Sequence, residues 1–329
     1  MDKVGGANNL TVALHNSIME TGLFSEGKVS SFTKYKNLAP SYKSQLDESS
    51  YVKFRVFDFI RNAEGVVFLS HHRKMTTYLL GIARLLKKEI KIVHIAHSAL
   101  SSLKYVTLFP KHNIAVSKSV RDSLKNYFNV KDAIVIYNGV LPQEVNLNKV
   151  FDKEQIRVTL PASLNNGKQQ VALTQFLRSK LTEQITIQFA GDGPDREKLE
   201  KAVSDDKQFR VLGHVDNMQK VYKSSDYVML FSKIEGLPLS LIEAQSYGVP
   251  IICNDVGGNL EILKPNENGF FVDSMSELLE CLNNLPNIEV SKYKEMRKQS
   301  LENYLQNFQY DKMVDSYVGV LHEVMQSVR

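Results

Sequence analysis

Short apolar runs alternate with stretches of helical periodicity along nearly the whole chain, and the alternation starts afresh near residue 156. Strands separated by helices cannot pair as hairpins. Each helix becomes a crossover between parallel neighbours, so the pattern implies doubly wound α/β domains. In the first half, 66–69 reads as a buried strand, and Met75, Tyr78, Leu79, Ile82, Leu85 and Leu86 fall at helical spacing within 74–88. The runs 90–97, 112–117 and 133–139 read as strands, 118–128 as a helix, and Asn138-Gly139 as a turn. The polar stretch 141–155 reads as a linker. Beyond it IRVTLPA, QITIQFAGDG, FRVLGHV, DYVMLFS and VPIICND read as strands with helical patterns between them, and the chain from about Tyr293 reads as helical. The expected organisation is a first Rossmann-like domain over 1–140, a linker over 141–155, a second Rossmann-like domain over 156–305 and a closing helix over 306–329. At the start, Gly5-Gly6 reads as a glycine-rich turn opening a helix. Such a turn follows a strand in a dinucleotide-type unit, yet only four residues precede Gly5. Either the first domain lacks its first strand or the chain begins inside a longer parent sequence.

A chain of 329 residues can form two domains, and 43% hydrophobic with 23% charged residues excludes a disordered one. No apolar run approaches the ~20 residues that cross a bilayer, and the first residues carry no apolar core of a secretory signal. Cys253 and Cys281 form no CxxC pair, so neither a disulfide framework nor a zinc site is expected, and a reducing cytoplasm is the simplest setting. The net charge of +5 conceals an asymmetry. Residues 1–140 hold 20 Lys and Arg against 10 Asp and Glu, and the remainder holds 21 against 26. By charge alone the basic half suits nucleic acid, an anionic membrane surface or plain solvent. The helix at 74–88 carries Arg73, Lys74, Arg84, Lys87 and Lys88 beside its apolar stripe, which fits either a membrane surface or packing on its own sheet.

The most informative stretch is FSKIEGLPLSLIEAQSYGVPIICNDVGGNLEIL, residues 231–263. Glu235 lies at the exit of an apolar strand, Pro238 suits the first turn of the next helix, and Glu243 follows eight residues after Glu235. The helix start near Leu239 and Ser240 offers free N–H groups and the positive end of a dipole, a place for phosphate. Two carboxylates beside it can each accept paired hydroxyls. A solvated glutamate pair flanking a capped helix has the same spacing.

The Glu-x7-Glu arrangement around GLPLSLIEAQSYGVPII resembles the signature of the family-4 retaining glycosyltransferases, of the bacterial surface-polysaccharide type. FAGDGPDREKLEKAV, VLGHVDNM, SSDYVMLFS, NDVGGNLEIL and NENGFFV follow in that family's order, and IAVSKSVRDSL and VIYNGV match in the first half. The resemblance implies the GT-B fold, two Rossmann-like domains facing a cleft, and transfer of a sugar from a UDP- or GDP-linked donor to a glycan or lipid-linked acceptor. It implies no cofactor and no nucleic-acid partner. Glu235 should contact the donor sugar, Glu243 the ribose, and Lys168 the diphosphate. Backbone N–H groups of Gly236, Leu237, Pro238, Leu239 and Ser240 should hold the pyrophosphate, and Val215 should lie by the base. Gly5 and Gly6 should approach the phosphates or the acceptor. His97, at a strand end, matches a histidine that the family places near the donor sugar. No DxD triplet or metal-spaced cluster is present, so metal-independent chemistry is expected, in a cytoplasmic protein that can rest at the inner membrane face. Ala162 departs from the family, which has an arginine about six residues before the lysine matching Lys168. That departure keeps two rivals open: an accessory or donor-binding subunit needing a partner transferase, and a nucleotide-sugar epimerase.

Overall fold

The computed structural model describes residues 6–61, 63–99 and 102–326. The chain divides into two units, Met1–Tyr137 with Asp311–Arg329, and Asn138–Tyr310. Within the first, α1 (Gly6–Glu20) leads to β1 (Val29–Ser31), α2 (Pro40–Lys43), β2 (Tyr51–Lys53), α3 (Val56–Arg61), β3 (Val67–Ser70) and α4 (Arg73–Leu85). Next come β4 (Lys91–Ala96), β5 (His112–Ala115), α5 (Lys118–Phe128) and β6 (Ala133–Val135). Strands β3-β4-β5-β6 form a parallel sheet in that order, while β1 and β2 pair with each other alone. Side chains at alternate positions of β4 and β5 are buried on both faces, as a sheet covered by helices requires. Ser117 caps α5 by accepting from the Val120 N–H at 3.1 Å, and Asn129 ends it in a left-handed conformation. The expectation of a missing strand before Gly5 falls on residues outside those described.

The second unit runs β7 (Ile156–Pro161), α6 (Gln170–Leu177), β8 (Ile185–Ala190), α7 (Arg196–Val203), β9 (Phe209–Gly213), α8 (Met218–Ser224) and β10 (Tyr227–Leu230). It continues through α9 (Leu239–Ser246), β11 (Ile251–Cys253), α10 (Asn259–Ile262), β12 (Gly269–Phe271), α11 (Met275–Asn284) and α12 (Val290–Asn307). All six strands are parallel, in the order β12-β11-β10-β7-β8-β9. Val158, Leu160, Ile187, Phe189, Val228, Leu230 and Ile252 are fully buried on the central strands. The order reverses between β7 and β10, and the loops leaving a sheet at such a switch point diverge to form a crevice.

Two expected boundaries are corrected. Residues 141–155 are no free linker: they belong to the second unit. Phe151 is buried and stacks on Tyr293 at 4.0 Å, and Lys149 pairs with Asp226 at 2.8 Å. The polar composition hid these two anchors. The closing helix over 306–329 is also two things. Residues 306 and 307 end α12, the chain breaks at Phe308-Gln309, and α13 (Tyr310–Gln326) joins the first unit from Asp311 onward. The break is held by Val140, whose N–H donates to the Phe308 carbonyl and whose carbonyl accepts from Tyr310 N–H, each at 3.0 Å.

Candidate functional site

In the second unit the loops at the carboxyl ends of β7, β8, β9 and β10 are tied to one another through the backbone. Leu164 N–H donates to Asp192 O at 3.0 Å, Gly191 N–H to Gly213 O at 2.8 Å, and Lys233 N–H to Gly167 O at 2.8 Å. Gly258 N–H reaches Gly236 O at 2.7 Å. Gly257 has φ +61°, and a Cβ there would collide with the Glu235 carbonyl, so only glycine lets this turn lie against the Glu235 loop. Asn254 staples the root of that loop in both directions, accepting from Ser232 N–H at 3.1 Å and donating to Ser232 O at 2.8 Å.

On either side of the switch point stand the two residues the sequence reading singles out. Lys168 follows β7, Glu235 follows β10, and Lys168 Nζ is ion-paired with Glu235 Oε1. Glu235 is only 7% exposed. A carboxylate this far from water needs a partner, and the ammonium supplies it. Glu243, in the middle of α9, accepts a hydrogen bond from the Tyr222 hydroxyl at 2.5 Å. Burial raises the Glu243 carboxyl above its usual range, and the Tyr222 bond opposes that shift. The start of α9 is uncapped by any side chain: Pro238 is its N-cap, and the Leu241 and Ile242 N–H groups both reach Pro238 O. The first-turn amides of Leu239 and Ser240 therefore lack intrahelical acceptors. One expectation is corrected here. Proline has no N–H, so Pro238 cannot hold a phosphate as a donor, and it precedes the first turn instead of occupying it. Val215 lies just beyond β9, after Gly213 in a left-handed turn (φ +68°).

Three residues of this region escaped the sequence reading. Asn138, read only as part of a turn, is buried and donates from Nδ2 to Leu237 O at 2.9 Å, and its Oδ1 has no hydrogen-bond partner. Tyr222 carries no signal of its own in the sequence, because its role depends on Glu243, 21 residues away. Lys233, exposed on the Glu235 loop, reaches Asn166 Oδ1 at 3.0 Å on the Lys168 loop and brings a second cation to the site. Ala162 sits at the exit of β7, partly exposed. Arg196, the first residue of α7, is committed to Asp192 and Glu200.

His97 and Gly6 belong to the first unit, with Gly6 at the start of α1, and Gly5 lies outside the described residues. His97 follows β4, and its Nε2 is 2.9 Å from Nδ1 of His71, which follows β3; the rings stack at 5.2 Å. His94 is buried beneath them, with Nδ1 2.9 Å from Thr76 Oγ1. Burial lowers both His94 and His97 to about 4, and burial followed by the neighbouring His97 holds His71 well below 6.5. At neutral pH these imidazoles are uncharged, able to donate and accept. Because the folded values lie below the unfolded value of 6.5, the stability they contribute is complete above about pH 6.5 and is lost as pH falls toward 4. The free energy of unfolding, from denaturant titrations, should drop across that window by up to about 1.4 kcal/mol per pH unit for each histidine. A His97→Gln variant should show a shallower slope, and an unchanged slope would mean His97 is not held neutral.

The family model for glycosyl transferases group 1 matches residues 122–302, which include every loop just described in the second unit. The amylovoran biosynthesis glycosyltransferase AmsD of Erwinia amylovora is 24% identical over 294 residues, covering 83% of this chain and 82% of AmsD. The O-antigen biosynthesis glycosyltransferase WbnH of Escherichia coli is 28% identical over 175 residues, 53% of this chain and 50% of WbnH. Among solved structures, HepE of Anabaena, determined in complex with UDP, superposes with a TM-score of 0.79 at 17% identity, over 98% of each chain. That likeness shows the fold, which is GT-B. The family match spans more than half of the sequence: this chain belongs to the glycosyl transferases group 1 family.

Proposed function

We propose that the protein moves a sugar from a UDP-linked donor to a growing glycan or lipid-linked acceptor of a surface polysaccharide, with retention at the anomeric carbon and without a metal ion. The observation that carries this reading is the Lys168–Glu235 pair at the switch point, beside the open start of α9. Lys168 and the Leu239 and Ser240 amides together meet the charge that develops on a departing diphosphate. Glu235, released from Lys168 as the phosphates arrive, accepts from hydroxyls of the sugar. The second oxygen of Glu243 accepts from the ribose, with Tyr222 fixing the first, and the backbone at Val215 borders the base. The family resemblance assigns His97, a neutral imidazole in the first unit, a part in sugar transfer, and assigns the Gly6 backbone a part with phosphate or acceptor. No side chain is assigned as nucleophile; the acceptor hydroxyl attacks from the face the diphosphate leaves, which preserves configuration.

UDP is the first nucleotide to test because HepE was solved with it, and the names of AmsD and WbnH, which place them in amylovoran and O-antigen biosynthesis, support a polysaccharide acceptor. Exposed Leu103, Tyr105 and Val106 beside Lys104, on the basic half of the chain, support contact with an anionic membrane at its cytoplasmic face. Ala162 is the one observation that favours an accessory subunit, which would bind nucleotide and never turn it over. The test is a panel of UDP- and GDP-sugars offered with a lipid-diphosphate glycan. Release of UDP in the parent and its loss in Glu235→Ala, with the anomeric configuration of the donor sugar preserved in the NMR spectrum of the product, is the expected result.

Among the described residues no three His, Cys, Asp or Glu side chains are grouped as a metal site would need. Metal-independent transfer, as proposed, predicts that turnover persists in excess EDTA. Complete loss that a divalent cation restores would contradict metal-independent transfer.

A further inference from the structure

At the opposite, amino-terminal end of the second sheet, a cavity of about 390 Å³ opens between the 144–149 segment, α8 and α12. Arg297, from α12, lines it while being only 3% exposed. Nη2 donates to Asn146 O at 3.0 Å and to Tyr247 O at 3.3 Å, and the guanidinium carbon lies 6.0 Å from the centre of the Tyr293 ring, but Nε and Nη1 have no hydrogen-bond partner. Carbonyl oxygens satisfy part of a guanidinium's geometry and none of its charge, and a buried cation without a counter-ion is costly. Nearby positive charge adds to the imbalance. Lys149 is matched by Asp226, but the exposed Lys223 at the rim has no such partner among the described ion pairs, and the single acid on the wall, Glu144, is exposed. Desolvation lowers the Lys149 ammonium, Asp226 opposes that shift, and the like charges of Arg297 and Arg157 add a smaller lowering. One wall is flat: Tyr222 and Tyr247 stack at 5.4 Å with 19° between their planes.

We propose that this cavity binds a small oxyanion, the phosphate or carboxylate group of a metabolite, between Arg297 and Lys223, with the body of the ligand against the two tyrosines. The guanidinium supplies directional donors and Lys223 a point charge, the combination that suits an oxyanion with several lone pairs. The site does not depend on the donor assignment, since Lys168 and the start of α9 lie at the other end of the strands. Tyr222 nevertheless touches both, because its hydroxyl holds Glu243. An occupied cavity would fix the Tyr222 ring and with it the Glu243 carboxylate.

The experiment is calorimetric titration of inorganic phosphate, and separately of acetate, into the full chain and into Lys168→Ala, Lys223→Ala and Arg297→Lys. Saturable binding of one anion is expected to survive Lys168→Ala, to weaken about tenfold in Lys223→Ala, and to weaken further in Arg297→Lys. The responding anion distinguishes a phosphate from a carboxylate ligand. Should Arg297→Lys fail to fold, the Lys223→Ala comparison decides alone, because that side chain is exposed. Binding that Lys168→Ala abolishes and Lys223→Ala leaves intact would overturn the proposal, as would the absence of saturable binding by either anion.

Discussion

Lys168→Ala is expected to weaken binding of a nucleoside diphosphate by roughly ten- to a hundredfold, measured by calorimetry. A charge-assisted hydrogen bond to phosphate contributes about 1.5–3 kcal/mol, and Ala162 stands where the family has a second cation for the same charge. The geometry adds a further effect. Lys168 is also the partner of Glu235, which is 7% exposed, so truncation leaves a buried carboxylate without its counter-charge. Breaking such a pair from one side is costlier than losing the pair itself. The variant should therefore melt lower than the parent, and Lys168→Ala combined with Glu235→Gln should recover part of that loss without recovering nucleotide affinity. The amides of Leu239 and Ser240 remain, so binding weakens instead of vanishing. An affinity within about twofold of the parent would mean that Lys233, which reaches Asn166 across the same loops, holds the phosphates.

The two glutamates should separate by phenotype. Glu243→Ala should cost nucleotide affinity about 1–3 kcal/mol, or five- to 150-fold, because it leaves ribose hydroxyls unpaired in a half-buried setting. Glu235→Ala should chiefly lower turnover, since its carboxylate is engaged by Lys168 until the phosphates arrive. Tyr222→Phe is the control between them. It removes the 2.5 Å bond that fixes Glu243 and keeps the carboxylate, so its loss of affinity should be smaller than that of Glu243→Ala. Equal affinities and equal rates in parent, Glu235→Ala and Glu243→Ala would remove the donor site from this end of the sheet.

Periodicity carried the fold further than it carried the site. Alternating apolar runs located the strands because parallel strands covered on both faces must be apolar throughout, and β7, β8 and β10 are buried along most of their length. Helix α5 matches its expected span of 118–128 because Ser117 and Asn129 punctuate it chemically. The boundary at 141–155 was illegible for a physical reason: one aromatic and one lysine anchor that segment, and each finds its partner more than 75 residues away. The same distance in sequence concealed the supporting residues of the site. Glu235, Glu243 and Lys168 stand in a readable motif order, but Asn138 acts on Leu237, Tyr222 on Glu243 and Lys233 on Asn166 only once the sheet has brought their loops together. The His71–His97 pair is of the same kind: each histidine ends a strand, and their hydrogen bond exists because β3 and β4 are neighbours.

The central claim is that the crevice between the β7 and β10 loops binds a nucleoside diphosphate sugar. It is tested most directly by thermal unfolding of the chain against rising concentrations of UDP, GDP and their hexose conjugates. A ligand that binds only the native state adds about 2.7 kcal/mol of stability at a hundred times its Kd. The account predicts that UDP and UDP-hexoses raise the melting temperature progressively, and that the rise disappears in the Lys168→Ala/Glu243→Ala double variant. No rise with any of these nucleotides, or an equal rise in the double variant, would contradict it.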